Sequence, residues 1–148
     1  MPLLVALPLL VIPVALYNIV VLTGGAGTAE LGAATAEAGL RDSLFTVPMA
    51  SGAVWSVRVG DLILFLALIL LFFELLKSTS SQKVAIVNHA LSMIVFVICL
   101  VEFLLIRGFA TSTFFLITTM VMLDVLAGFI VTIISARKDF DIGAPGLH

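Results

Sequence analysis

Asp124 stands near the middle of FFLITTMVMLDVLAGFIVTII, a run of almost uninterrupted apolar side chains. A carboxyl set in hydrocarbon has three uses: it can hydrogen-bond neighbouring helices together, hold a coupling proton or cation, or meet a basic residue of another subunit. Burying an Asp at a helix centre costs about 2.5–3.5 kcal/mol on insertion scales, and more if it stays ionised without a partner. No Lys, Arg or His falls at its depth. The available partners are Thr118, Thr119, Ser92 on the preceding helix, and carbonyls freed by Pro8 and Pro13. Asp124 is therefore expected to be neutral and to donate a hydrogen bond.

The other ionisable groups sort into two layers. At a rise of about 1.5 Å per residue, Glu74 and His89 lie roughly 9 Å from the midplane, on the side of the LKSTSSQK loop. They occupy matching positions across a helical hairpin, so a Glu74–His89 pair is predicted. Asp61 and Glu102 lie about 10 Å from the midplane on the other side, near Arg58 and Arg107. Asp61 follows Gly60 at a helix start and is expected to cap it. Glu102 is expected to pair with Arg58 or Arg107. Asn88 and Ser92 belong to the stripe Asn88, Ser92, Val95, Cys99, Glu102, Ile106, whose steps of four and three keep it on one helix face. A similar stripe, Thr113, Ile117, Met120, Asp124, Ala127, Val131, Ser135, runs along the last helix with Gly128 on its flank. Lipid rewards neither stripe, so both are expected to face protein.

No chemistry beyond this is spelled out. The sequence has no P-loop, no GxGxxG and no HExxH, and its single cysteine, Cys99, excludes an internal disulfide or a CxxC pair. His89 and His148 are the only histidines. No metal or cofactor is expected, and a net charge of −2 without a basic cluster gives no basis for binding nucleic acid.

The elements that must carry these residues follow from composition. With 62% hydrophobic and 11% charged residues, the chain is expected to be an all-α integral membrane protein. Four apolar runs, 2–22, 60–76, 84–106 and 113–134, are each about long enough to span, giving a single-domain four-transmembrane-helix bundle with a tail at 135–148. The first run lacks a basic start and exceeds a signal-peptide core, so it reads as a membrane helix that Pro8 and Pro13 should kink. The second, LILFLALILLFF, is apolar on every side and should face lipid over much of its circumference. RGFATS joins the last two runs, with Gly108 as helix stop and Ser112 as N-cap.

The extramembrane loop, 23–59, divides in two. Its first half suits a short helix, with Glu37 and Arg41 spaced for an i,i+4 pair. Its second half reads as a small β-hairpin around ASG, with Pro48 confined to an edge. This loop either lies on the membrane with Trp55 as interfacial anchor or docks a partner. Lys77, Lys83, Arg137 and Lys138 face Arg41, Arg58 and Arg107 across the bilayer, which favours cytoplasmic N- and C-termini in a prokaryotic plasma (inner) membrane.

The expected function is a non-enzymatic accessory, assembly or structural subunit, of a homo-oligomer or of a larger membrane complex. Its expected partners are the lipid bilayer and a second copy or another membrane subunit. The alternative is a small proton- or ion-coupled channel or transporter using Asp124, with Glu102 or His89 on the path. The sequence has no internal repeat to support the alternative.

Overall fold

A computed structural model describes residues 7–23, 32–78 and 82–142. The described chain is mostly helical. Helix α1 (Val11–Thr23) is followed by α2 (Gly32–Arg41), strands β1 (Ser43–Pro48) and β2 (Val54–Arg58), and the long helices α3 (Val59–Ser78), α4 (Gln82–Leu105) and α5 (Ser112–Ile142). A 3-10 turn, Arg107–Phe109, joins α4 to α5.

Three helices are long and apolar enough to cross a bilayer, over Val59–Lys77, Ile86–Leu105 and Ser112–Ile134. Their side chains sort as they would in lipid. On α4 the buried residues are Asn88, Ser92 and Cys99, while Ile94, Val97, Ile98 and Leu104 point outward. A domain stabilised by water would reverse that order. These features are those of a membrane protein.

The first helix differs from the predicted 2–22. Its 13 residues span only about 20 Å, short of the roughly 30 Å of a hydrocarbon core. Leu7–Leu10 precede it as a turn, in which the Pro8 carbonyl accepts the Val11 N–H, and residues 1–6, including Pro2, lie outside the described residues. Pro13 sits in the first helical turn, where no N–H is needed. The prolines therefore set where α1 begins and do not kink its middle. At the far end of the chain, α5 continues past the predicted 134 to Ile142, so much of the expected tail is helical. The side chains of Ser135, Lys83, Arg137 and Lys138, and all of His148, lie outside the described residues.

Helix α5 packs between α3 and α4, which touch each other only slightly. The expected α3 surface is partly corrected by this. Gly60, Ile63, Ala67, Leu71 and Glu74 form a buried stripe, and Phe65, Leu68, Phe72 and Leu76 remain outside. At the stripe's head, a Cβ on Gly60 would lie 3.2 Å from Thr113 Oγ1 and 3.3 Å from the Leu40 carbonyl, so α2 and α5 both close on that end of α3. On α5 the buried line is Phe114, Ile117, Thr118, Val121 and Asp124. It shares Ile117 and Asp124 with the predicted stripe but is rotated toward Phe114 and Val121, because α5 must satisfy two neighbours and not one.

Outside the spans, α2 lies against the 3-10 turn and α1, burying Ala36 and Leu40. Glu37 and Arg41 form the expected pair at 2.7 Å. The two strands pair antiparallel, with Thr46 opposite Ser56, Val47 opposite Trp55 and Pro48 opposite Val54. Gly52 closes the turn at φ +83°, a left-handed conformation that favours glycine, and Met49 and Ala53 are hydrogen-bonded across it.

Candidate intramembrane polar site

Glu74 is completely buried near the Lys77 end of the α3 span. Its predicted partner, His89, is not the one it meets. Asn88, one residue earlier on α4, donates its amide to Oε1, and the backbone N–H of Leu9 donates to Oε2 at 2.6 Å. Lys77, a turn below on α3, reaches the same Oε1 at 3.4 Å, the Asn88 Oδ1 at 3.0 Å and the Leu7 carbonyl at 2.6 Å. One residue along a helix is a rotation of about 100°, so Asn88 and His89 cannot face the same neighbour. With α5 wedged between α3 and α4, the Asn88 face is the one turned to Glu74. The result joins α3, α4 and the turn before α1, and Lys77 compensates the carboxylate's charge.

One helical turn deeper on α4, Ser92 Oγ donates to Asp124 Oδ2 across 2.6 Å. Ser92 is one of the partners the sequence predicts for Asp124. A carboxylic acid keeps acceptor capacity in either protonation state, so this bond serves both. Among the described residues Ser92 is the only hydrogen-bond partner of Asp124, which is 3% exposed at the middle of its span. Gly128 is the next rung. A Cβ there would lie 2.5 Å from His89 Nδ1, so the imidazole rests directly on the glycine. That buried nitrogen has no hydrogen-bond partner among the described residues.

No family model, curated protein or solved structure matches the chain. The site is therefore read from its own chemistry. Among the described residues Glu74 is a carboxylate met by three donors, Asp124 is a carboxyl met by one, and the nearby His89 Nδ1 is met by none. No group of three His, Cys, Asp or Glu side chains among the described residues could hold a metal ion.

A second polar cluster, missed in the sequence, closes the opposite end. Tyr17 Oη lies 2.5 Å from Thr111 Oγ1 and 3.3 Å from the Gly108 carbonyl, while Thr111 Oγ1 accepts the Phe114 N–H at 3.2 Å. These fit one chain of donation, from Phe114 N–H to Thr111, from Thr111 to Tyr17 and from Tyr17 to Gly108. Thr111, not Ser112, is thus the N-cap of α5. Tyr17 also stacks on Phe109 and Phe114, at ring separations of 5.6 and 4.7 Å. The next residue, Asn18, donates to Glu102 Oε2 at 3.4 Å, so a neutral amide meets the carboxyl for which Arg58 or Arg107 was expected. A tyrosine beside an asparagine inside an apolar helix was the available signal.

Asp61 caps as expected. Arg58 is the last residue before α3, and its N–H donates to Asp61 Oδ2 at 3.0 Å, the return bond of a capping box. Arg107 is exposed in the 3-10 turn, and Trp55 is exposed on β2.

Proposed function

We propose that this protein is a non-enzymatic, multi-pass membrane subunit, accessory or structural, of a homo-oligomer or of a larger membrane complex, and that its inward polar residues hold its own helices in one bundle. In this reading α1 and the turn before it form a fourth crossing. Leu7 and Leu9 meet Lys77 and Glu74 at one end of the bundle, and Tyr17 and Asn18 meet Thr111 and Glu102 at the other. The distribution of Lys and Arg favours cytoplasmic termini in a prokaryotic inner membrane.

The observation that carries the reading is the use of the buried polar groups. Glu74, Asn88, Ser92, Asp124, Tyr17 and Thr111 are each spent on a contact between elements. Transport chemistry needs polar groups left open to a path; helix assembly needs them closed on one another. The test compares Asp124→Leu and Asp124→Asn with the native chain by native mass and co-purification in mild detergent. Asp124→Leu should disrupt the assembly or release a partner, Asp124→Asn should retain it, and liposomes should show no proton-dependent flux.

A second reading, a proton- or ion-coupled channel or transporter, is favoured by one observation: among the described residues Asp124 has a single hydrogen-bond partner and His89 Nδ1 has none. If Asp124→Asn leaves assembly intact but abolishes a proton-dependent flux, that reading replaces the first.

A further inference from the structure

The β-hairpin has two unlike faces. Alternate residues of a strand share a face, and so do residues directly opposite across the ladder. The pairs Phe45–Val57 and Val47–Trp55 therefore make one face wholly apolar and bearing both aromatic rings, while Thr46–Ser56 and Pro48–Val54 make the other, half polar, with Val54 exposed. The apolar face is covered at its base only. Val57 is 4% exposed against the protein, yet Phe45 beside it is 52% exposed and Trp55 is 51% exposed. Phe45 and Trp55 lie on the same face as Val57 but are half uncovered, and Val47 between them is half-buried. A lone two-stranded hairpin is marginal in water, and these side chains need a cover.

The position of the hairpin says what that cover is. β2 ends at Arg58 and the membrane-crossing α3 begins at Val59, with no linker between them. Asp61 fixes this junction through the Arg58 N–H. The hairpin is thus anchored where the lipid-facing belt of Leu62, Phe65 and Leu68 begins. Tryptophan and phenylalanine on such a surface match the polarity gradient at the headgroup level. We infer that the Phe45–Val47–Trp55 face of the hairpin docks into the lipid interface of the leaflet from which α3 emerges.

Trp55 is the only tryptophan of the chain, so its fluorescence reports on the hairpin alone. The experiment reconstitutes the full chain in phosphatidylcholine vesicles containing lipids brominated either near the headgroup or near the chain end. Docking predicts blue-shifted emission, loss of most of it to shallow bromines, less loss to deep ones, and little quenching by aqueous iodide. Phe45→Ser should shift the emission to the red and raise iodide quenching. Strong iodide quenching of the native chain without bromolipid quenching would overturn the proposal. So would shielding from both quenchers that disappears when the protein is diluted in lipid, since a second copy would then be the cover. The proposal rests on α3 being in the membrane, which a Trp55→Phe/Leu68→Trp chain checks separately: deep bromines should quench it whatever the hairpin does.

Discussion

Glu74 and Asp124 are both buried carboxyl side chains in the spans of one small bundle, and they are handled in opposite ways. Glu74 lies near a span's end and receives a backbone N–H, an amide and an ammonium. Asp124 lies at a span's centre and receives one hydroxyl. Depth accounts for the difference. Lys77 is near enough to the loop for its long stem to carry a charge to Glu74, whereas among the described residues no basic side chain forms an ion pair with Asp124. The pair teaches that Glu74 ties the fold together as an ionic knot, while Asp124 is a contact whose hydrogen-bonding capacity is only partly used.

Several substitutions break or sharpen that contrast. The largest effect is expected from Lys77→Met, which leaves Glu74 buried and uncompensated; removing one member of a buried ion pair costs about 3–5 kcal/mol. Reversible unfolding in mixed micelles would read it. Glu74→Gln in the same chain should recover part of the loss, because the neutral amide needs no cation although its NH2 cannot accept from Leu9 or Asn88, and a further loss in place of any recovery would deny the ionic reading of the knot. Next comes Gly128→Ala, whose Cβ meets His89 Nδ1 at 2.5 Å. Overpacking of this kind costs about 1–3 kcal/mol, and the same unfolding assay should detect it. Gly52→Ala should cost about 1–2 kcal/mol locally through its left-handed backbone, read as faster amide exchange in β1 and β2 with the spans unchanged. The smallest effect is expected from Asp124→Asn, at about 1 kcal/mol or less, since an amide oxygen still accepts from Ser92. An Asp124→Asn loss as large as that of Lys77→Met would abolish the distinction between the two sites.

Particular residues show how far the sequence could be read. The three long spans were legible because an apolar run of the right length has one physical meaning in a bilayer. The hairpin around ASG was legible from its turn glycine, and the stripe from Asn88 to Glu102 from its period. Ser92 was legible as a partner of Asp124 because few hydroxyls lie across from it. The Glu74 partner was not, because depth in a helix can be counted from sequence but azimuth cannot. Asn88 and His89 differ little in depth and by about 100° in direction, and only the wedging of α5 between α3 and α4 selects the first. Leu7 and Leu9 were invisible for another reason: they contribute backbone groups, which every residue carries. Tyr17 and Asn18 were passed over because neither carries a charge. The start of the described helix α1 at Val11 was not legible, because apolar composition runs on through Pro8 and does not mark the turn before the helix.

The central claim is that Asp124 makes a contact, and the coupling between Ser92 and Asp124 tests it most directly. A double-mutant cycle of Ser92→Ala and Asp124→Leu, read by unfolding in mixed micelles, isolates that one interaction. A helix contact predicts a favourable coupling of about 0.6–2 kcal/mol, the range of interhelical hydrogen bonds in membranes. Zero coupling, with each substitution acting independently of the other, would contradict it.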